Sequence, residues 1–298
     1  MIHLLPFAMI LLVISVVAGA VGSLIGLGGG IIVIPILTLF LNVSPELAIG
    51  ASIISVIATS SGAAATYVRD HLTNMRVGMF LELATTTGAI SGAYISVLIG
   101  GNALFIIFGF VLLYTLYPTL RRALQERRAS HQSVQEVARQ AAATAALPPD
   151  RIATALSLSD SFYDPAIKET ISYHVRRVPL GFAIMYVAGI LSGLLGIGGG
   201  IFKVLAMDNA MGMPIKTSTA TSNFMIGVTA AASAGIYFLR GDINPVIAGP
   251  VALGVLGGSI IGTRLLSRLK SERIRLIFAF FLGIIAIQML AKGFNIHF

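Results

Sequence analysis

Apolar residues fill most of the chain, in eight long stretches separated by short polar turns and one extended polar region. A helix needs roughly 20 apolar residues to cross a hydrocarbon core about 30 Å thick, and most of the stretches have about that length. The pattern predicts an all-α polytopic membrane protein. The stretches cover residues 4–42, 46–68, 77–99, 103–120, 179–213, 215–239, 245–263 and 274–291.

The first and fifth stretches are longer than the others. They hold 39 and 35 residues, which is nearly twice what a single crossing requires at about 1.5 Å per helical residue. Each also has a glycine cluster in its middle, at residues 26–30 and 196–200. Two short helices that meet at a glycine break, as a hairpin or re-entrant pair, fit this pattern better than one long helix.

The two halves of the chain repeat each other. Both glycine clusters have the pattern Gly-x-Gly-Gly-Gly, at an offset of 170 residues, and further matches follow in the same order. Internal repeats of this size are common in transporters. The predicted domains are a first transmembrane repeat (1–120), a cytosolic linker (121–178) and a second transmembrane repeat (179–298). The further matches are Pro45 with Pro214, Ser52 with Thr221, Asn74 with Asn244, and Gly88 and Gly92 with Gly258 and Gly262.

Basic residues predict how the repeats are oriented, because Lys and Arg accumulate on the cytoplasmic side of membrane proteins. If the first and fifth stretches each crossed once, thirteen basic residues would lie inside and six outside. If both stretches enter and leave on the same side, seventeen lie inside and two, Arg240 and Lys292, lie outside. We therefore expect two inverted repeats, each with a glycine-broken or re-entrant helix pair followed by three transmembrane helices. The linker is then cytoplasmic and both termini are outside.

The linker is the one strongly polar region of the sequence. Its Ala-rich residues 123–146 predict a helix that Pro148 and Pro149 end. Rough alternation in residues 156–163 and 169–175 is typical of a small cytosolic β-hairpin. The simpler interpretation of the linker is a tether between the halves, and a regulatory role is the alternative.

Composition supports a membrane location. The chain is 56% hydrophobic and 11% charged, with a mean hydropathy of +0.91, whereas soluble domains carry roughly 25% charged residues. The net charge of +8 fits basic loops beside anionic lipid, so we expect membrane lipid and no nucleic acid as partners. The absence of cysteine excludes disulfides, thiolate metal sites and cysteine nucleophiles.

The glycine clusters are the first candidate binding site. Glycine allows close helix packing, but backbone N–H groups at a helix start inside the membrane also bind anions, aided by the helix dipole. Unwound backbone at membrane depth is tolerated only where protein or a water-filled cavity satisfies it, which favours the anion site. No P-loop lysine–serine pair follows, so the pattern is not a nucleotide fingerprint. The candidate residues are Gly28, Gly29, Gly30, Gly198, Gly199 and Gly200.

Lys203 lies three residues after the second cluster. Charged side chains at membrane depth are costly and usually face a cavity or a partner, so Lys203 is a candidate anion ligand. Snorkelling to an interface is the alternative. Asp208 is a candidate counter-charge, and Val33 at the equivalent place in the first half makes the site asymmetric.

Polar side chains are dense at the start of the helix that begins at Lys216. Six polar residues occur among the seven from 217 to 223, more than helix packing requires, and they predict the wall of a solvated cavity. A narrower hydroxyl stripe in the first half fits either a cavity wall or interhelical packing. The candidate substrate-binding residues are Thr217, Ser218, Thr221, Ser222 and Asn223 in the second half, and Ser52 and Ser55 in the first.

An enzyme is the competing class of function. The five histidines lie at ends or in loops, and no His-Glu-x-x-His or Gly-x-Gly-Asp protease motif occurs. We therefore expect no catalytic residues, no metal site and no cofactor. Glu82, the sole acid inside a predicted helix of the first half, is either a proton-coupling group or a residue near the cytoplasmic end of its helix.

Three motifs resemble the sulfite exporter TauE/SafE family, also called the toluene sulfonate uptake permeases. They are the duplicated Gly-x-Gly-Gly-Gly-Ile, the run Met207-Asp208-Asn209-Ala210-Met211, and the run from Thr217 to Met225. The similarity covers nearly the whole chain outside the linker. One departure is that Pro35 follows the first glycine cluster where Leu205 follows the second, so the two breaks are expected to differ in shape.

The resemblance implies a mainly prokaryotic secondary transporter of the cytoplasmic membrane. Its expected substrates are small sulfur-containing anions such as sulfite, sulfoacetate or sulfonates, moved by alternating access around a midplane anion site. A homodimer is compatible with the sequence. The alternatives are an intramembrane enzyme, an anion channel or a transporter of a non-sulfur substrate. Family membership determines neither the anion, nor the direction of transport, nor the coupling ion.

Overall fold

The computed structural model describes residues 4–25, 29–128, 150–164, 169–266 and 271–295. The apolar stretches form helices because a helix satisfies its own backbone N–H and C=O groups, which lipid cannot do. The helices of the first half are α1 (Leu4–Ile25), α2 (Gly30–Pro35), α3 (Pro45–Arg69), α4 (Met75–Leu98) and α5 (Gly101–Arg128).

The second half repeats this order after the linker. The linker contributes a short helix and a two-stranded antiparallel hairpin, α6 (Arg151–Ala155), β1 (Asp160–Asp164) and β2 (Glu169–Tyr173), which confirms the predicted hairpin. Helix α5 continues eight residues past the predicted end of the first repeat, and the rest of the helix predicted over 123–146 lies outside the described residues. The helices that follow are α7 (Val178–Leu195), α8 (Gly200–Leu205), α9 (Ile215–Leu239), α10 (Pro245–Leu266) and α11 (Ser271–Gly293).

Both overlong stretches are broken at their glycines, as predicted. α1 and α2 are separate helices, and so are α7 and α8. Each short second helix continues into one turn of π-helix, and the two turns occupy equivalent positions, Ile36–Phe40 and Ala206–Ala210. Proline lacks the N–H that a helix interior uses, yet Pro35 stands in one half and Leu205 in the other without changing where this turn begins.

Several helices have the length and composition of membrane spans. Among the described residues four helices qualify fully: Pro45–Arg69, Gly101–Pro118, Val178–Leu195 and Ile215–Leu239. Shorter apolar helices are Pro6–Val21, Gly30–Phe40, Pro245–Ile261 and Ala279–Gly293. Many large apolar side chains face outward, such as Leu98 and Leu239 at 84% and 87% exposed. Apolar surface on this scale requires lipid as the solvent.

Each half packs its first helix against the other half. α1 packs on α10, and α7 packs on α4. At the centre of the bundle α3 packs on α9. In addition, α9 contacts α4 and α3 contacts α10, and α5 packs on α11. Exchanging the two halves turns each of these contacts into another contact of the same set. The helix packing therefore has an approximate two-fold symmetry.

Glycines bring the backbones of α4 and α7 into direct contact. Gly88 lies against the backbone of Tyr186 and Ile190, and Gly92, one turn later, lies against Ile190 and Leu194. Small residues allow such close approach in membrane helices. Because the contacts advance together along both helices, α4 and α7 run in the same direction.

The same packing recurs between α10 and α1. Gly254 lies against the backbone of Leu12 and Val16, and Gly258 lies against Val16 and Ala20. These two helices therefore also run in the same direction.

Helices α3 and α9 begin at opposite ends of the bundle. The start of α3 lies at the turn between α9 and α10, where Gly50 packs against the backbone of Asp242. The start of α9 lies at the turn between α3 and α4, where the Thr221 hydroxyl accepts a 3.0 Å hydrogen bond from the backbone N–H of Asn74. Since each helix starts where the other ends, α3 and α9 run antiparallel.

Asn74 connects the linker to the membrane helices. Its Oδ1 accepts a hydrogen bond from the N–H of Val77 and so caps the N-terminus of α4. Its Nδ2 donates to the carbonyl of Leu158 and to the hydroxyl of Tyr173, both at 2.9 Å. The linker hairpin therefore lies on the end of the bundle at which α4 and α9 begin.

The hairpin also shares an apolar core with that end of the bundle. Its buried side chains pack in one cluster with residues of α4, α7, α9 and the segment between α8 and α9. Burial of apolar surface between the hairpin and the bundle stabilises their contact by roughly 25 cal/mol for each Å² removed from water. The cluster includes Leu158, Phe162, Ile171 and Tyr173 from the linker, and Val77, Met207, Met211 and Met213 from the bundle.

Candidate functional site

Lys203 lies in the interior of the bundle. The residue is fully buried on α8, and its Nζ donates a 2.5 Å hydrogen bond to the hydroxyl of Thr229 on α9. The side chain therefore does not snorkel to an interface in this conformation. A buried ammonium requires hydrogen-bond partners and a counter-charge, and the structure provides both.

Glu82 supplies the counter-charge. The Thr229 hydroxyl donates a 2.6 Å hydrogen bond to Glu82 Oε1 on α4, and Thr86 donates to the same oxygen at 3.0 Å. Thr229 thus lies between the ammonium and the carboxylate, in a chain that joins α8, α9 and α4. The sequence suggested Asp208 as the counter-charge; the ammonium is instead linked to Glu82, which the repeat pattern places in the other half.

The charged chain has no counterpart in the other half. Val33 occupies the place of Lys203, and Ala252 occupies the place of Glu82 at the repeat offset. Both replacements are apolar, so the equivalent pocket beside α2, α3 and α10 lacks this pair. The predicted asymmetry of the site therefore extends to both members of the pair.

The second glycine break needs glycine. Gly198 and Gly199 have φ values of +73° and +65°, in the left-handed region that side chains disfavour. A Cβ on Gly199 would also lie 2.9 Å from the carbonyl oxygen of Ala188. The break thus stops α7 and redirects the chain into α8, one turn before Lys203.

The first break differs in its described part. Gly29 has a φ of −67°, which is ordinary helical backbone. Gly30 is enclosed, because a Cβ there would lie 2.5 Å from Ser52 Oγ and 3.1 Å from the carbonyl oxygen of Gly196. The two breaks therefore meet at the centre of the bundle. Gly28 lies outside the described residues.

A small cleft of about 10 Å³, which is room for about one water molecule, lies where the breaks meet. It is smaller than the clefts of roughly 300–1,000 Å³ that hold small-molecule ligands. Lys203 is not part of its lining, since the ammonium is directed to Thr229 instead. Residues of both halves line the cleft: Ile31 and Thr115 from the first, and Ile197, Gly199, Gly200, Ile201 and Phe202 from the second.

The hydroxyls at the start of α9 make internal hydrogen bonds in this conformation. Ser218 donates to the carbonyl of Met213, and Ser222 donates to the carbonyl of Gly200 at 3.2 Å. Thr221 accepts from Asn74, as described above. Thr217 is buried, and the half-buried Asn223 donates to the carbonyl of Thr219 on its own helix. Ser222 therefore contacts the beginning of α8, whereas Ser218 and Thr221 contact the segments before α9 and α4.

The two serines of the first half have different contacts. Ser52 donates a 2.8 Å hydrogen bond to the carbonyl of Gly196, which satisfies an orphan carbonyl at the end of α7. Ser55 donates to the carbonyl of Ser52 within its own helix. Ser52 thus belongs to the glycine break of the other half, whereas Ser55 makes a local helical contact.

A second polar cluster donates to two further carbonyls near the end of α7. The Tyr237 hydroxyl donates toward the carbonyls of Gly193 at 2.9 Å and Leu194 at 3.3 Å. Arg240, which follows on the same helix, pairs with Asp242 at 2.9 Å. Burial raises the pKa of Asp242, and the Arg240 guanidinium opposes that rise. The cluster is structural, because it supplies donors to a helix end buried in the bundle.

Sequence reasoning missed Thr229 and the link between Glu82 and Lys203. Thr229 stands alone among apolar residues, and nothing in its local pattern distinguishes it from a packing hydroxyl. The sequence marks Lys203 as a charge at membrane depth, and for Glu82 it leaves open a position near the cytoplasmic end of its helix. The rule that buried charges occur in pairs could have linked them.

Comparison with known proteins agrees with this architecture. The family model described as sulfite exporter TauE/SafE matches residues 11–289. A probable membrane transporter protein of Bacillus subtilis (strain 168), YunE, is 29% identical over 292 residues, which cover 95% of this chain and 97% of the relative. A second from the same organism, YdhB, is 24% identical over 86% of this chain and 89% of its own length.

A probable membrane transporter protein of Xylella fastidiosa (strain Temecula1) is 26% identical over 276 residues, which cover 91% of this chain and 90% of the relative. No solved structure matches the chain. The family match spans both repeats and the linker, from α1 to α11, and the chain therefore belongs to the sulfite exporter TauE/SafE family of multi-pass membrane transporters.

Proposed function

We propose that this chain is a secondary transporter that moves small sulfur-containing anions across the cytoplasmic membrane, by alternating access around a midplane anion site. One observation carries the proposal: Lys203 is a fully buried cation, placed one turn after a glycine break and deep inside a membrane bundle. Ionisable groups at this depth usually mark substrate or ion pathways. The family and the names of the relatives support transport, and the positive charge supports an anion.

The burial of Lys203 supports alternating access over an open channel. With no exposed surface, the ammonium cannot meet a substrate in the conformation described here. The cleft beside the two breaks is also too small for most ligands. Substrate binding therefore requires the halves, or α8 with its break, to move. The glycines of the break permit such movement, because their backbone is not restricted by a side chain.

The proposed anion site combines the Lys203 ammonium with the residues around both breaks. The glycines Gly29, Gly30, Gly198, Gly199 and Gly200 keep side chains out of the centre, where the halves meet. Ser52 and Ser222 lie at the same place, each bonded to a carbonyl of the second break. These hydroxyls could exchange a backbone carbonyl for a substrate oxygen at little net cost, since a typical hydrogen bond contributes only about 1 kcal/mol.

We also propose that the repeats are inverted, with the linker cytoplasmic and both termini outside. The opposed starting points of α3 and α9 support the inversion. The seventeen-to-two partition of basic residues supports the orientation. Inverted repeats also account for the two breaks meeting at one central place.

Single-cysteine labelling tests this topology, because the natural chain has no cysteine. Ser44 and Lys216 are exposed residues at the starts of the equivalent helices α3 and α9, and Ser161 is exposed on the hairpin. On intact cells an impermeant maleimide should label Ser44→Cys directly, and should label Lys216→Cys and Ser161→Cys only after permeabilisation. Labelling of Ser44→Cys and Lys216→Cys from the same side would contradict inversion. The reverse pattern for all three variants would contradict the orientation.

Transport is tested with purified protein in proteoliposomes. A panel should include sulfite, sulfoacetate, an aromatic sulfonate, and sulfate and acetate as non-preferred anions. We expect saturable uptake of at least one sulfur anion, with faster uptake into liposomes preloaded with the same anion, because exchange through one site is typical of a carrier. Flux that does not saturate would indicate a channel. Saturable flux of acetate but of no sulfur anion would contradict the proposed substrate class.

A further inference from the structure

The pair formed by Lys203 and Glu82 is electrically balanced, and this has a consequence for anion binding. The ammonium, the Thr229 hydroxyl and Glu82 Oε1 form one continuous chain across three helices. The other carboxylate oxygen, Oε2, is buried and has no hydrogen-bond partner in the described part of the chain. The carboxylate is thus held by one oxygen only, although the residue is only 7% exposed.

An anion that takes the Lys203 ammonium removes the counter-charge of Glu82. The bundle would then hold two negative charges and one positive charge in an environment of low dielectric. Removing one partner of a buried pair is strongly unfavourable, because the remaining charge is neither solvated nor paired. Uptake of one proton by the carboxylate restores the balance. The unpartnered Oε2 is the oxygen free to receive it.

We propose that Glu82 is the proton-coupling residue of this transporter: each anion that binds at Lys203 is accompanied by one proton that binds at Glu82. The inference rests on the proposed anion site and adds the coupling ion. No bond other than O–H forms; the proton comes from water on the side from which the anion enters and leaves with the anion. The result is symport of one proton with one anion.

The hydroxyl of Thr229 keeps a hydrogen-bond partner both before and after the anion and the proton bind. Besides Glu82 Oε1, its Oγ1 lies 2.8 Å from the carbonyl of Met225, one turn earlier on α9. When Glu82 is neutral and Lys203 contacts the anion, the hydroxyl can donate to that carbonyl instead. Thr229 is therefore a positioning residue, which links the two charges in one state and is satisfied by its own helix in the other.

In the described structure, Lys203 is the charged residue that faces Glu82 from the helices packed against α4. On α9, Lys216 lies at the exposed start and Arg240 follows the last turn, each more than two turns from Thr229. On α7, the hydroxyl of Tyr186 lies 3.3 Å from Ser91, nine residues along α4 from Glu82. The half-buried Asp208 lies five residues beyond Lys203, in the π-turn after α8. Glu82 is thus the acid in contact with the chain that holds Lys203.

The test measures binding of an aromatic sulfonate to the detergent-solubilised protein as a function of pH. A sulfonate keeps one negative charge between about pH 5.5 and 8.5, so any pH dependence belongs to the protein. In wild-type protein Glu82 loses its proton as the pH rises, and anion binding must then be accompanied by proton uptake. Above the pH at which this begins, the dissociation constant should rise up to tenfold per pH unit. In Glu82→Gln, whose side chain takes up no proton, it should be independent of pH over the acidic part of this range, where Lys203 keeps the proton that anion binding requires.

Two controls accompany this measurement. Asp242→Asn removes another partly buried carboxylate that is paired with a cation, and it should keep the wild-type pH slope. Glu82→Asp retains a carboxylate and should also retain a slope. Wild-type protein in weak buffer should take up close to one proton per sulfonate bound. That titration needs no variant, so it decides the matter even if Glu82→Gln does not fold.

The outcomes separate the two proposals. A wild-type affinity that does not change with pH, or a pH slope that persists in Glu82→Gln over the acidic range where Lys203 stays protonated, overturns proton coupling at Glu82 while leaving the anion carrier intact. Absence of binding at every pH for every anion tested overturns the proposed anion site itself. Proton uptake of about one per anion, lost in Glu82→Gln, supports the inference.

Discussion

Replacing Lys203 by Met, together with Glu82 by Gln, is expected to weaken anion binding strongly while the protein still folds. Met keeps most of the apolar stem and removes the ammonium. A hydrogen bond to a charged group contributes about 1.5–3 kcal/mol, which corresponds to a loss of roughly ten- to hundredfold in affinity. The double variant matters because Lys203→Met alone would leave Glu82 buried without its counter-charge. That situation costs about 3–5 kcal/mol and could lower expression for reasons unrelated to binding.

The measurement compares three proteins at equal purity: wild type, Glu82→Gln, and the double variant. Sulfonate binding is followed by calorimetry or by ligand-induced thermal stabilisation, with melting in the absence of ligand as the check on folding. Glu82→Gln leaves Lys203 buried without its counter-charge and should melt at a lower temperature without ligand, but a bound sulfonate restores that charge, so binding should persist. The double variant therefore isolates the contribution of the ammonium. Binding by a well-folded double variant with wild-type affinity would exclude Lys203 as the anion ligand.

Gly193→Ala is expected to destabilise the bundle strongly, whereas Gly257→Ala should not. A Cβ on Gly193 would meet the backbone of Ala89 on α4, in direct contact with its carbonyl oxygen. Backbone cannot rotate away as a side chain can, so α4 and α7 would have to separate. Overpacking of this kind costs about 1–3 kcal/mol or more. Gly257 lies inside α10, and apart from the neighbouring backbone of that helix no atom of the described residues lies within 4 Å of the corresponding Cβ position.

Alanine at Gly257 should therefore be neutral, or stabilising by up to about 1 kcal/mol, because alanine is the better helix former. Thermal unfolding in detergent, together with the yield of monodisperse protein, measures the difference between the two variants. Equal stability of Gly193→Ala and wild type would mean that α4 and α7 do not approach as closely as described.

The helices and strands could be predicted from the sequence, but which of them contact each other could not. Length and glycine clusters predicted the broken stretches, because hydrophobic span and helix breaking are local properties. Alternation around Asp164 predicted the hairpin for the same reason. The contact of Asn74 with Tyr173 could not be predicted, since it joins residues far apart in sequence whose approach depends on the packing of the whole bundle.

The candidate site shows the same division. Lys203 and the glycines were recognisable from residue type at membrane depth. Ser52 was recognised as polar, but its partner, the carbonyl of Gly196, lies in the opposite repeat. The hydroxyls at the start of α9 predicted a solvated wall, yet in this conformation Ser218 and Ser222 hydrogen-bond to nearby carbonyls. A single conformation of a carrier cannot display the contacts that form when substrate enters, so those residues stay a prediction.

The exchange of first helices between the halves has a consequence for biosynthesis. Helix α1 is made before the other described helices, but its main partner, α10, leaves the ribosome only after α2 to α9. Until then the close-packing face around Gly19, which finally lies against the backbone of Val255, must face lipid or another protein. Neither half alone contains the partner of its own first helix. Co-expression of the separated halves should therefore rescue both, whereas each half expressed singly should be degraded.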